Sequence, residues 1–159
     1  MWVHTLAVIG PNPIAEKNLG DALHVLGRPD DAVALLQNAA TMQSADPARH
    51  IDLAEDLAEC GRVPEAVAAY EEAICLTGEP ASQARSYGSL AILYGELGEY
   101  SKARESYREV VRIDPQLGDE MIRNLSRAFA ANPSGGGYLF LGMLSEVAGR
   151  IPDARIAYQ

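Results

Sequence analysis

The sequence repeats one spacing of residues four times, and this repetition limits the possible folds more than any single motif does. Each copy has a leucine, a small residue directly after it, a glycine eight positions after the leucine, an alanine five further on and a large apolar residue four beyond that. The copies are Leu19-Gly20…Gly27…Ala32…Leu36, Leu53-Ala54…Gly61…Ala66…Tyr70, Leu90-Ala91…Gly98…Ala103…Tyr107 and Leu141-Gly142…Gly149…Ala154…Tyr158. Self-similarity over such a period is typical of proteins built from stacked structural repeats.

Each copy predicts two helices joined by a tight turn. The glycine falls where the first helix has to end, in a left-handed conformation that is cheap only without a Cβ atom. The second helix begins at or near Pro29, Pro64 or Pro152, and at Tyr100-Ser101 in the third copy. The small residues allow helices to approach closely, and the large apolar residue shares a face with the alanine. We therefore expect the tyrosines of the pattern to lie in the core.

The pattern resembles the tetratricopeptide repeat, a helix–turn–helix unit of about 34 residues. Setting the first position of that repeat at Pro13, Pro47, Ala84 and Gly135 aligns all four copies, so the resemblance covers nearly the whole chain. It implies an all-α fold, a right-handed superhelical solenoid of helix–turn–helix repeats. It also implies that function lies on a surface and not in a catalytic cluster.

The repeat frame divides the chain into segments with one irregularity. Residues 1–10 match the end of a preceding repeat, 13–46 are repeat one, 47–80 repeat two, 81–116 repeat three and 135–159 a partial repeat four. Residues 117–132 are predicted to form one extra helix, because Met121, Ile122, Leu125 and Phe129 recur at helical spacing.

Two placements are open for the extra helix. It either caps repeat three or pairs with residues 138–148, and the first is favoured because residues 138–158 keep the two-helix signature. The Gly135–Gly137 run after it has neither the preceding strand nor the Gly-Lys-Ser/Thr of a phosphate loop, so it predicts a flexible linker.

The composition narrows the classes of partner. A formal net charge of −9 argues against nucleic acid, which is bound by basic surfaces. No apolar run is long enough to span a membrane. Cys60 and Cys75 fall near opposite ends of predicted helices, too far apart for a disulfide, and free thiols fit a cytoplasmic protein.

The sequence contains no group of residues with the spacing of a catalytic or metal-binding site. His4, His24 and His50 lack the spacing of metal ligands, and no nucleophile motif is present. The sequence therefore predicts no enzyme activity, no metal and no cofactor.

The resemblance places a ligand groove on the concave side, lined by the first helix of each repeat. The matching positions are Lys17, Asp21, His24, Ile51, Glu55, Glu59, Arg85, Ile92, Glu96, Leu139, Met143 and Glu146, and Gly88 and Gly95 belong to the same set. Carboxylates outnumber basic groups here, with apolar positions between them. We expect a protein-interaction scaffold that binds a basic, partly apolar peptide or helix.

Two alternatives start from the ends of the chain. Tyr158-Gln159 falls in the middle of a second helix in the repeat frame. The chain is therefore also interpreted as the regulatory or substrate-docking segment of a larger enzyme. Because solenoids need polar caps, ends without them predict self-association as a further possibility.

Overall fold

The computed structural model describes residues 46–133 and 135–157, except for the side chains of 151 and 152. Nearer the N-terminus it describes residues 19, 22–23, 25–28, 30–34 and 37. From residue 46 onward the described helices are α1 Pro47–Glu59, α2 Val63–Leu76, α3 Pro80–Glu96, α4 Tyr100–Ile113, α5 Pro115–Ala131, α6 Gly135–Val147 and α7 Ile151–Ala157. No strand occurs among these residues, which confirms the prediction of an all-α fold.

The chain divides into two compact units, residues 1–77 and 78–159. In the first unit α1 packs against α2. In the second unit the most extensive helix pairs are α3 with α4 and α6 with α7. Each of these pairs is a helix–turn–helix hairpin. The superhelical hand and the bounds of the individual repeats stay predictions.

A left-handed glycine ends the first helix of every copy of the pattern. The φ angles are +67° at Gly27, +72° at Gly61, +73° at Gly98 and +72° at Gly149. The residue after the glycine donates its N–H to a carbonyl five residues back, as from Arg62 to Leu57 at 2.9 Å and from Glu99 to Tyr94 at 2.8 Å. This arrangement is a Schellman motif, which satisfies carbonyls that a helix end leaves without partners.

We expect Gly98→Ala to lower the free energy of unfolding by about 1–2 kcal/mol, because an L-residue is strained at this positive φ. No neighbouring atom lies within 4 Å of a Cβ built at Gly98, so the loss reports backbone strain alone. Gly78→Ala is the matched control: its Cβ also meets nothing within 4 Å, and its φ lies outside the left-handed range. Urea unfolding followed by circular dichroism measures both; equal stabilities of the two variants would contradict the assignment.

An ion pair follows each of these glycines and was not predicted. The residue after the glycine pairs with a residue three positions on, in the first turn of the second helix. The pairs are Arg28–Asp31, Arg62–Glu65, Glu99–Lys102 and Arg150–Asp153. The hydrogen bond from Arg62 lowers the pKa of the Glu65 carboxyl. Exposed pairs of this kind contribute little to stability, so the glycine remains the main determinant of the turn.

The small and apolar positions of the pattern are buried, as predicted. The alanines Ala32, Ala54, Ala66, Ala91, Ala103 and Ala154 and the tyrosines Tyr70 and Tyr107 are all buried. Gly142 is buried as well. Gly20, Leu36 and Tyr158 lie outside the described residues.

Asp114 turns the chain from α4 directly into α5. Its backbone is extended, as expected for a residue before proline, and its carboxylate accepts from the N–H groups of Gln116 and Leu117, each at 3.0 Å. Pro115 then takes the first helical position, where a missing N–H does no harm. The extra helix thus has a strong local start signal.

The extra helix makes both kinds of contact that the sequence left open. Its N-terminal half packs on the preceding hairpin: Gly118 accepts a hydrogen bond from the Tyr107 hydroxyl at 2.8 Å, and Met121 lies against Gly88. Its C-terminal half meets α6, where the rings of Phe129 and Tyr138 lie 6.2 Å apart. It therefore joins repeat three to α6.

The prediction of a flexible linker at Gly135–Gly137 is wrong, because these glycines form the first turn of α6. Apolar residues from Tyr138 onward hold the helix against its neighbours. Once such a helix exists, extending it backward adds a hydrogen bond for each residue fixed. The low helix propensity of glycine, taken alone, led to the wrong prediction of a linker for this segment.

Candidate peptide-binding faces

The described residues of the predicted groove all lie on the first helices α1, α3 and α6. We call their positions the first-helix faces: Ile51, Glu55 and Glu59 on α1, Arg85, Ile92 and Glu96 on α3, and Leu139, Met143 and Glu146 on α6. Lys17, Asp21 and His24 lie outside the described residues. In each helix successive members are three, four or seven positions apart, so they share one side of that helix.

The face of α1 is acidic. Asp46 starts the helix by accepting a hydrogen bond from the Ala48 N–H at 3.1 Å. Glu55 and Glu59 are exposed toward its C-terminal end, with the half-buried Ile51 one turn earlier. The last turn of α1 contains no basic residue. Since a helix C-terminus carries partial negative charge, it adds to the field of these carboxylates.

The face of α3 has fewer accessible positions than predicted. Arg85, Ile92 and Glu96 are exposed, with Ile92 at 37%. Gly88 and Gly95 are not open groove positions, because Met121 and Phe140 side chains cover them. A Cβ on Gly95 would lie 2.8 Å from Phe140 Cζ. The structure thus uses these glycines for helix packing.

The face of α6 combines an apolar and an acidic residue. Leu139 is 52% exposed, Met143 is half-buried and Glu146 is exposed. An exposed leucine beside a carboxylate is compatible with a ligand that carries both apolar and basic groups.

Among the described residues, no group of three or more His, Cys, Asp or Glu could hold a metal ion. Burial, with the neighbouring Asp56 carboxylate, raises the pKa of the Cys60 thiol, which therefore stays protonated near neutral pH. Cys75 is exposed, and neither cysteine forms a disulfide.

A cleft that the sequence analysis missed lies between α5, α6 and α7. It has a volume of about 380 Å³ and includes Arg123, Arg127, Arg150, Leu141 and Ile156 in its lining. We call it the arginine cleft. The sequence carries one signal for it, the spacing of four between Arg123 and Arg127 on a predicted helix. Nothing local indicates that Arg150 joins them.

Comparison with models of known protein families shows the family of the chain. A tetratricopeptide repeat model matches residues 48–116, and a second tetratricopeptide repeat model matches residues 18–38. The chain belongs to the tetratricopeptide repeat family. Proteins of this family are in general scaffolds for protein–protein interaction. No curated protein sequence matches the chain.

Solved structures of tetratricopeptide repeat proteins share the fold. MamA is 22% identical, with a TM-score of 0.66 and coverage of 99% of this chain and 80% of MamA. A tetratricopeptide repeat protein from Parabacteroides merdae is 15% identical, with a TM-score of 0.61 and coverage of 98% and 68%. YrrB, described as a TPR protein with an unusual peptide-binding site, is 13% identical, with a TM-score of 0.50 and coverage of 98% and 88%.

No helix in the described parts of the chain has both the length and the apolar composition needed to cross a membrane.

Proposed function

We propose that this protein is a non-catalytic interaction scaffold whose first-helix faces bind a basic, partly apolar peptide or helix. The family supports the scaffold role, and the exposed carboxylates on α1 favour a basic ligand. The peptide-binding site named for YrrB is that protein's own, and it motivates a peptide as the ligand class here.

The observation that carries the proposal is the acidic end of α1. Glu55 and Glu59 are exposed one turn apart on the same face of α1, near the helix C-terminus, which itself carries partial negative charge. A net charge of −9 reinforces this local field. Lysine or arginine side chains of a ligand are therefore attracted to this face.

Charge and apolar contact have separate roles in the proposed complex. Charges at the rim of an interface mainly accelerate association and select partners, whereas burial of apolar side chains supplies most of the affinity. On α1 the apolar residue beside the carboxylates is the half-buried Ile51. In the second unit the exposed apolar residues are Ile92 on the face of α3 and Leu139 on the face of α6. Added salt should then slow association without abolishing the complex.

We expect Glu55→Lys/Glu59→Lys to weaken binding of a basic amphipathic peptide by about tenfold or more, because two attractive contacts become repulsive. The probe is a lysine- and leucine-containing peptide selected from a random display library on the wild-type protein. Fluorescence anisotropy measures its affinity for both proteins. Adding Glu96→Lys extends the test to α3.

The matched control is Glu71→Lys/Glu105→Lys, which makes the same change of charge at exposed positions on the second helices α2 and α4. It should leave the affinity nearly unchanged. Selection of acidic instead of basic peptides, or equal losses in the two double variants, would refute the proposed faces.

A further inference from the structure

The arginine cleft has a charge opposite to that of the whole chain. Its lining contains three arginines and a single carboxylate, Asp153. The chain itself has a formal net charge of −9. A basic recess on an acidic protein selects an acidic group from a partner, because the remaining surface repels it. None of the residues of the first-helix faces lines this cleft.

The three arginines differ in whether a carboxylate of the protein pairs with them. Arg150 is oriented by Asp153, with Nε 2.6 Å from Oδ2, and its Nη1 lies 3.5 Å from Oδ1 of Asp119. Arg123 and Arg127 lie one turn apart on α5, are exposed, and have no carboxylate partner among the residues that the structure describes. Their guanidinium groups are therefore available to a ligand carboxylate, which they can bind in a bidentate manner.

Part of the lining of the cleft is apolar. Leu141 and Ala157 are buried, and Ile156 is 72% exposed. The volume of about 380 Å³ lies in the range of about 300–1,000 Å³ that ligand pockets occupy. A small inorganic anion would leave this apolar part uncovered. A peptide side chain could cover it while a neighbouring carboxylate reaches the arginines.

We propose that the arginine cleft binds an acidic peptide segment of a partner protein, with carboxylates on Arg123 and Arg127 and an aliphatic side chain against Leu141 and Ile156. The scaffold then has a second site, with charge preference opposite to that of the first-helix faces. The two sites allow it to hold two different partners.

The test measures fluorescence anisotropy of a labelled peptide of glutamate and leucine. Wild-type protein should bind it, and Arg123→Glu/Arg127→Glu should weaken binding by about tenfold or more. The matched control is Arg104→Glu/Arg108→Glu, the same change at two exposed arginines one turn apart on α4. It should bind as the wild type does. Circular dichroism checks that all variants remain helical.

Further measurements distinguish an acidic peptide from other possible ligands of the arginine cleft. Ile156→Ser, which changes no charge, should also weaken peptide binding, because the ligand's aliphatic group loses its contact. Displacement by inorganic phosphate together with no effect of Ile156→Ser would overturn the proposal in favour of a simple anion site. Sedimentation that detects a dimer, dissolved by Arg123→Glu/Arg127→Glu, would overturn it in favour of a second copy. Failure of the peptide to bind wild-type protein, or equal losses in the control, would also overturn it.

Discussion

Replacing Tyr107 with alanine should lower the free energy of unfolding of the second unit by about 3–5 kcal/mol, the usual range for removing a buried aromatic side chain. Tyr107 is fully buried in α4, and its hydroxyl donates a hydrogen bond to the Gly118 carbonyl oxygen of α5 at 2.8 Å. The change therefore leaves a cavity in the hairpin and removes the hydrogen bond that joins α4 to the start of α5. Urea unfolding followed by circular dichroism measures the loss.

Tyr107→Phe separates the hydrogen bond from the packing. It keeps the ring and should lose about 0.5–1.5 kcal/mol, because only the hydrogen bond from the hydroxyl to the Gly118 carbonyl is lost. A loss as large as that of the alanine variant would contradict this division. So would no loss at all.

The same hydroxyl gives a dependence of stability on pH. Burial, with a contribution from the Asp119 charge, raises the pKa of Tyr107 above its usual range. The folded state therefore keeps the proton to higher pH than the unfolded state, in which a tyrosine ionises near pH 10. Stability should fall as the pH rises above about 10. Tyr107→Phe should show a shallower fall than the wild type.

Replacing Gly95 with leucine should destabilise the second unit by about 1–3 kcal/mol or more, the usual effect of overpacking. Even a Cβ atom at this position would lie 2.8 to 3.1 Å from three atoms of the Phe140 ring. Phe140 is buried and also lies beside Tyr100, with ring centroids 6.4 Å apart, so it has little room to move. The leucine must displace the ring and loosen α6 from α3.

A double-mutant cycle tests whether the two side chains compete for one space. Phe140→Ala alone should lose about 3–4 kcal/mol. In the Gly95→Leu background it should lose at least about 1 kcal/mol less, because the leucine fills part of the vacated volume. Additive losses would show that Gly95 and Phe140 do not share this contact.

Gly88 provides the matched comparison on the same helix. Its Cβ would lie 3.1 Å from Sδ of Met121, a flexible side chain that can move aside. Alanine is also favoured over glycine within a helix by up to about 1 kcal/mol. Gly88→Ala should therefore be near neutral, whereas Gly95→Ala should be destabilising. The reverse order of stability would contradict the packing described for α3.

Local chemistry made the hairpins predictable. A glycine at the fixed repeat position, such as Gly61 or Gly98, ends the helix there, because its backbone adopts positive φ at low cost. Asp114-Pro115 likewise starts a helix without help from distant residues. The buried alanines follow from the 3.6-residue period, which fixes the side of a helix that each residue occupies.

What packs against each side of a helix was not predictable from the sequence, because it depends on how the helices stack. Gly88 and Gly95 share a side with the predicted groove, yet Met121 and Phe140 from later helices cover them. The arginine cleft shows the same limit, since Arg150 joins the cleft only through the packing of three helices. Sequence period identifies a face, and tertiary packing decides whether a helix or a ligand covers it.

The most direct test of the scaffold assignment is an NMR titration of the intact protein with the selected basic peptide. Amide shift changes should concentrate on the exposed residues of the first-helix faces, above all around Glu55 and Glu59, and should be absent around Glu71 and Glu105 on the second helices. Changes confined to α2 and α4, or no changes at saturating peptide, would contradict the account.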